Sequence, residues 1–269
     1  LLVPPPEFEL TATLQGAVTG CKCGMLGLPD QGCVLGGLGS AIRLDHQGWT
    51  TRRYQACHRN QQVRGVIIYG STLFMIQPTT ISRVASFDSP PPPPTTTTTV
   101  THHHVPGIEG LMAGLAADSN TIILVDITRG AVVRYRLDSS SVQVLASGLW
   151  RPVAISQHGH GEDARYFVTE NTAGRVRVYG PDWRPLYTIG EEGEGDGELD
   201  YPWGTAVMPE ETLLVADTQN RRISEFSLEG HFVGHVMTHL DDVPYGLSLH
   251  GRHLWLRFLD GSVGRYGLY

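Results

Sequence analysis

Short apolar runs of four to six residues, several of them alternating with polar positions, recur along the chain and are broken by turn-forming Gly, Asp, Asn and Pro. That is the pattern of short half-buried or buried strands. No apolar run approaches the length of a membrane span. Three segments share a further plan: an apolar strand ending in an acid, a short polar turn, and a second strand ending in an aromatic residue. Ile123-Leu124-Val125-Asp126 leads to Val132-Val133-Arg134-Tyr135, and Phe167-Val168-Thr169-Glu170 leads to Val176-Arg177-Val178-Tyr179. Leu214-Val215-Ala216-Asp217 leads to Ile223-Ser224-Glu225-Phe226. In each, the aromatic lies nine residues after the acid. A fourth copy, Leu254-Trp255-Leu256 leading to Val263-Gly264-Arg265-Tyr266, keeps the plan without the acid.

The aromatics Tyr135, Tyr179, Phe226 and Tyr266 are 44, 47 and 40 residues apart, and backward extension reaches Phe87 and Leu44. A period in the forties with four strands per unit predicts propeller blades. Pro152-Val153-Ala154, Pro202-Trp203-Gly204 and Pro244-Tyr245-Gly246 open the strand before each acid-ending strand. Proline suits a strand's first residue, and a small residue there lets innermost strands crowd around an axis.

The expected fold is therefore all-β, a single six-bladed β-propeller domain of four-stranded antiparallel blades. The blades are read as residues 17–58, 62–104, 106–148, 150–191, 201–240 and 243–269. The last has three strands of its own, and the alternating segment Phe8–Leu14 is expected to complete it and so close the ring. The run Pro90–Pro94 falls in the loop between the third and fourth strands of blade two, with Thr95–Thr99 serving as the outer strand.

Charged residues make up only 17% of the chain and glycine is abundant (32), which suits strands and tight turns. A net charge of −7 excludes a uniformly basic nucleic-acid surface, though not a basic patch. Leu1–Pro6 lacks the charged start and long apolar core of a signal peptide, and the absence of an initiator Met predicts a piece of a longer protein. Cys21, Cys23, Cys33 and Cys57 do not have zinc-knuckle spacing and are expected to be free thiols in a reducing, cytoplasmic setting.

The segment Tyr201-Pro202-Trp203-Gly204, Leu214-Val215-Ala216-Asp217-Thr218-Gln219-Asn220-Arg221-Arg222-Ile223 and Gly230-His231-Phe232-Val233 resembles the NHL repeat. The acidic run Gly190–Leu199 looks like the linker that often precedes such a repeat. The resemblance is good in blades four and five, partial in three and six, and one of spacing alone in one and two. It implies the C-terminal propeller of a tripartite-motif (RING, B-box, coiled-coil) ubiquitin ligase, recognising substrate proteins or RNA stem-loops on one face. The RING part would lie outside this chain, and the domain itself would not be an enzyme.

Strand direction alternates within a blade, so turns between its second and third strands share a rim with the linkers between blades. That rim is expected to carry Arg59, Arg64, Arg129, Arg151, Arg175, Arg221 and Arg222, the run His102–His104, and Trp150, Tyr201, Trp203 and Tyr245. Guanidinium and aromatic groups together suit a protein partner, or alternatively looped RNA. The acids between Glu191 and Asp200, with Asp241 and Asp242, oppose phosphate over blades five and six and tilt the reading to protein. Arg175 and Arg222 have a plainer expected role, pairing with acids of neighbouring blades. Asp126, Glu170 and Asp217 are expected to hold the following turn by accepting its backbone N–H groups.

A metal-dependent hydrolase or lyase of the same fold needs acids or histidines on the innermost strands, and these offer mainly Gly, Ala, Val, Leu and Ser. Adjacent histidines on a strand point to opposite faces, so His102–His104 converge poorly on one ion. No Gly-x-Ser-x-Gly elbow is present, and the repeat is not expected to gather Ser, His and acid. No catalytic residue, cofactor or metal is therefore expected, and the domain is expected to be a monomer.

Overall fold

A computed structural model of the chain describes residues 8–14, 25–28, 33–38, 40–45, 50–58, 60–85, 87 and 100–268, with only the backbone described over 8–14 and at 50, 51 and 268. Its strands form six four-stranded antiparallel sheets. After β1 (Phe8–Leu14), blade one holds β2 (Met25–Gly27), β3 (Cys33–Gly36), β4 (Ser40–Leu44) and β5 (Thr50–Gln55). Blade two holds β6 (Gly65–Tyr69), β7 (Thr72–Ile76), β8 (Thr80–Val84) and β9 (Val100–His104). Blade three holds β10 (Leu111–Ala116), β11 (Thr121–Asp126), β12 (Ala131–Arg136) and β13 (Val142–Ala146). Blade four holds β14 (Pro152–His158), β15 (Arg165–Glu170), β16 (Arg175–Tyr179) and β17 (Pro185–Ile189). Blade five holds β18 (Thr205–Val207), β19 (Thr212–Asp217), β20 (Arg222–Ser227) and β21 (Phe232–Met237). Blade six holds β22 (Pro244–His250), β23 (His253–Phe258) and β24 (Val263–Leu268).

The innermost strands β2, β6, β10, β14, β18 and β22 touch in that order and β22 returns to β2, so the sheets ring an axis as a six-bladed β-propeller. The closure expected from the sequence is present. Strand β1 pairs antiparallel with β24 from Phe8↔Leu268 to Leu14↔Val263, with one irregularity near Leu10, and supplies the outer strand of blade six. Among the described residues no helix is long and apolar enough to cross a membrane.

Middle strands are buried on both faces, so their near-continuous apolar runs split between two neighbours. In β11, Ile122 and Leu124 pack with Phe74 and Ile76 of blade two, while Ile123 packs with Val168 and Tyr179 of blade four. Six such cores are present, one at each interface between adjacent blades. The repeat aromatics fill them: Tyr135, Tyr179 and Phe226 are buried, each against the preceding blade. The small residues on the innermost strands have the expected cause at Gly204, where an added Cβ would lie 2.7 Å from the Leu247 nitrogen of the adjacent blade.

Phe87 is not the ladder equivalent of these aromatics. Strand β8 ends at Val84, which pairs with Leu73 as Tyr135 pairs with Ile122. Phe87 lies three residues on, buried against Tyr54 with ring centroids 5.3 Å apart. The outer strand of blade two is Val100–His104, and the threonine run lies outside the described residues, as do Cys21 and Cys23. Cys33 is buried and Cys57 half-buried.

Candidate functional site

The rim of linkers and second-to-third-strand turns is organised by one buried polar side chain in each of blades two to five. Glu170 at the end of β15 is fully buried; it accepts from the Trp150 N–H (2.7 Å) and from the guanidinium groups of Arg175 (2.7 Å) and Arg177 (3.0 Å). Asp217 at the end of β19 accepts from the Asp200 N–H (2.7 Å), from the Asn220 amide (2.9 Å) and from Arg222 Nε (2.6 Å). The backbone N–H that each of these two acids accepts belongs to the linker preceding its blade, while the turn and strand that follow contribute side chains rather than N–H groups. Only Asp126 has the expected turn geometry, accepting from the N–H groups of Thr128 (3.0 Å) and Arg129 (3.3 Å).

Blade two does the same with a neutral side chain. Gln77 is fully buried, accepts from the His58 N–H (2.9 Å), and donates to the carbonyls of His58 (2.7 Å) and Gln61 (2.9 Å). In blade six the position belongs to Phe258, which pairs with Pro244 as Glu170 pairs with Pro152. The ladder register identifies Gln77; the acid-to-aromatic spacing does not, because blade two has Val84 in place of the aromatic.

The candidate arginine and aromatic residues divide on this frame. Arg175 and Arg222 are consumed by acids of their own blades, not of neighbouring ones. Arg222, its side chain only 12% exposed, also donates to the carbonyls of Glu194 (2.8 Å), Gly195 (2.8 Å) and Glu198 (3.1 Å) and so pins the acidic linker to blade five. Arg129, Trp150, Arg151 and Arg221 are exposed, Trp150 by 64%. Arg129 Nε lies 3.9 Å from Asp126, a long ion pair. The Leu149 N–H donates to the Gly130 carbonyl (2.9 Å), which seats Trp150 and Arg151 beside the turn that carries Arg129.

Arg151 (φ 49°) and Tyr201 (φ 47°) both have left-handed backbone, each directly before the proline that opens its blade. A side chain larger than glycine is held there at a cost of about 1 kcal/mol. Arg64, Trp203 and Tyr245 instead surround the axial channel, where Trp203 and Tyr245 stack with ring centroids 4.1 Å apart. Arg59 lies outside the described residues.

Exposed acid occupies the adjoining arc: Glu191, Glu192, Glu194, Asp196 and Asp241. Burial and the nearby charges of Asp217, Glu192 and Glu194 push the Asp200 carboxyl up.

The fold does gather a Ser–His–Asp chain, contrary to the expectation from the repeat. Ser224 and His235 are cross-strand partners in β20 and β21, with Oγ and Nδ1 3.1 Å apart, and His235 Nε2 lies 3.2 Å from Asp196 Oδ1. The serine is fully buried and the acid is the exposed end, 83% accessible, so the hydroxyl is closed to a substrate. Ser82 and His102 repeat the serine–histidine pair in blade two at 2.9 Å. The arrangement is a strand-pairing device.

No family model matches the chain. Short stretches resemble curated proteins. The protein lin-41 of Caenorhabditis elegans is 45% identical over 49 residues, 18% of this chain and 4% of that protein. The E3 ubiquitin-protein ligase TRIM71 of Rattus norvegicus is 44% identical over 48 residues, 18% of this chain and 6% of that protein. The matched stretches are thus a small fraction of those relatives.

Among solved structures, a streptogramin B lyase aligns over 98% of both chains with TM-score 0.68 and 11% identity. Virginiamycin B lyase from Staphylococcus aureus aligns over 98% of this chain and all of its own, with TM-score 0.66 and 12% identity. A chain of a nidogen/laminin complex aligns over 84% of this chain and 85% of its own, with TM-score 0.66 and 12% identity. At such identity these matches establish the propeller fold alone. In this chain no Asp, Glu or His lines the channel among the described residues, and none of these residues form a cluster of metal-ligating side chains.

Proposed function

We propose that this chain is the recognition domain of a tripartite-motif ubiquitin ligase of the NHL type. It works as one monomeric, non-catalytic propeller domain in the cytoplasm and binds a protein partner on the rim of blades three and four. One observation carries the reading: Trp150 stands 64% exposed beside exposed Arg151 and Arg129, while Arg175 and Arg222 are tied to buried acids. Exposed Trp and Arg on a rigid frame are the residue types that dominate protein hot spots. The short similarities to lin-41 and TRIM71 support the family half of the proposal.

RNA is the second reading, favoured by the same guanidinium and aromatic groups. The exposed acids from Glu191 to Asp196 oppose phosphate on the adjoining arc. The test compares the protein with its Trp150→Ala/Arg151→Ala variant, titrated with RNA hairpins at two salt concentrations and used to capture cellular proteins by proximity labelling. Labelled proteins that disappear with the double variant, without hairpin binding at low salt, are the expected result. Hairpin binding that falls steeply with salt and is lost in the variant establishes the RNA reading instead.

A further inference from the structure

We propose that the mouth of the central channel is a binding site for a carboxylate carrying an apolar or aromatic body. The channel holds a cavity of about 290 Å³, and among the described residues Arg64 is the only charged side chain that lines it. Arg64 is half-buried, and its guanidinium is held by a single long hydrogen bond from Nη1 to the Leu111 carbonyl, 3.3 Å. No ion pair joins it to a carboxylate among the described residues. Arg175 and Arg222 on the same rim, by contrast, each meet a buried acid.

A guanidinium removed from water without a counter-ion is destabilising, and an anion delivered by a ligand offsets that cost. The rest of the lining fits the body of such a ligand. Blade two, which carries Arg64, lies opposite blade five in the ring, and the stacked pair Trp203–Tyr245 from blades five and six lines the same cavity as Arg64. Val153 continues the apolar wall, and Gln157 and Thr205 supply uncharged polar groups. A cavity with an apolar wall and one placed charge selects a small amphiphilic acid, or the terminal carboxylate of a protein that ends in an apolar residue. Among the described residues a hard cation finds no carboxylate here, and a polyphosphate has one guanidinium where it needs several.

The site is separable from the rim of blades three and four, because it uses none of Arg129, Trp150 or Arg151. Calorimetric titration with indole-3-acetate and its neutral analogue indole-3-acetamide tests it directly. The acid is expected to bind about tenfold more tightly than the amide, a difference equivalent to one charge-assisted hydrogen bond. Arg64→Met is expected to erase that preference, Arg64→Lys to keep part of it, and Trp150→Ala to leave it intact whether or not partner capture is lost. The peptide Gly-Gly-Phe, with free or amidated C-terminus, separates the sources. Tighter binding of the free peptide than of indole-3-acetate assigns the site to a protein C-terminus, and weaker binding assigns it to a small acid. Equal binding of acid and amide by the unaltered protein overturns the proposal. So does failure of both acids to bind at millimolar concentration, or an undiminished preference in a folded Arg64→Met variant.

Discussion

Asp217 and Asp126 have the same place in the repeat and the same full burial, yet only Asp217 has a close guanidinium partner. Blade five begins its third strand with Arg222, whose Nε meets Asp217 at 2.6 Å; blade three begins the same strand with Ala131. Neutralising Asp217 would leave a guanidinium that is only 12% exposed without its counter-charge, and would loosen the linker carbonyls that the same guanidinium holds. Asp217→Asn is therefore expected to cost about 3 kcal/mol. Asp126→Asn removes no close ion pair and keeps an oxygen for the turn, so about 1 kcal/mol is expected. Urea unfolding of the two variants measures the difference; equal costs would refute the role given to Arg222. The sequence shows the acids and their period. It does not show that Gln77 takes the same part, since the linker path that brings His58 to it is a tertiary fact. Nor does spacing reveal that Arg222 turns back onto carbonyls 24 to 28 residues earlier, which removes it from any ligand surface.

At the scale of the strand, ring closure is the most consequential pairing, because β1 and β24 come from opposite ends of the chain. Without β1, the β24 edge would present unpaired backbone groups to water and to other molecules. Removal of residues 1–14 is expected to lower the melting temperature by several degrees and to produce dimers or larger species, as seen by calorimetry and light scattering. An unchanged melting temperature with a clean monomer would show that the pairing contributes nothing. This closure is legible in the sequence because Phe8–Leu14 alternates apolar and polar residues and blade six lacks a strand. The aromatic of blade two is not. Counting back one period lands on Phe87, whereas the ladder puts Val84 at that position and lets Phe87 fill the space against Tyr54 from beyond the strand. A core accepts an aromatic ring from either place if the volume is filled, so spacing alone cannot choose.

Over the whole molecule, histidine burial and the acidic balance act on stability in the same pH range. Burial, with Arg83 and His102 nearby, holds His103 below the ordinary histidine value of 6.5. Burial, with Arg222 nearby, lowers His235 although Asp196 partly opposes the shift; burial, with Arg265 and His250 nearby, lowers His253. In each case the folded state binds a proton less readily than the unfolded chain. Their contribution is thus fully present above pH 6.5 and is lost as pH falls through 6.5 toward the lower folded values. Asp200 acts in the opposite direction, since its raised carboxyl takes up a proton more readily in the fold and gains stability on mild acidification. The carboxylates of Asp118, Asp138, Glu229 and Asp260 are lowered, which places their effect in stronger acid, and exposed, so screening keeps it small. Three histidines against one aspartate predict a melting temperature that declines between about pH 7.5 and about pH 5.5. The sequence pI of 5.9 falls inside that interval, so loss of net charge adds a tendency to associate there. Calorimetry across the interval at low protein concentration separates the two effects. His103→Gln, which has no proton to gain, is expected to flatten the decline, and a slope unaltered by that substitution together with His235→Gln and His253→Gln would place the dependence on other groups.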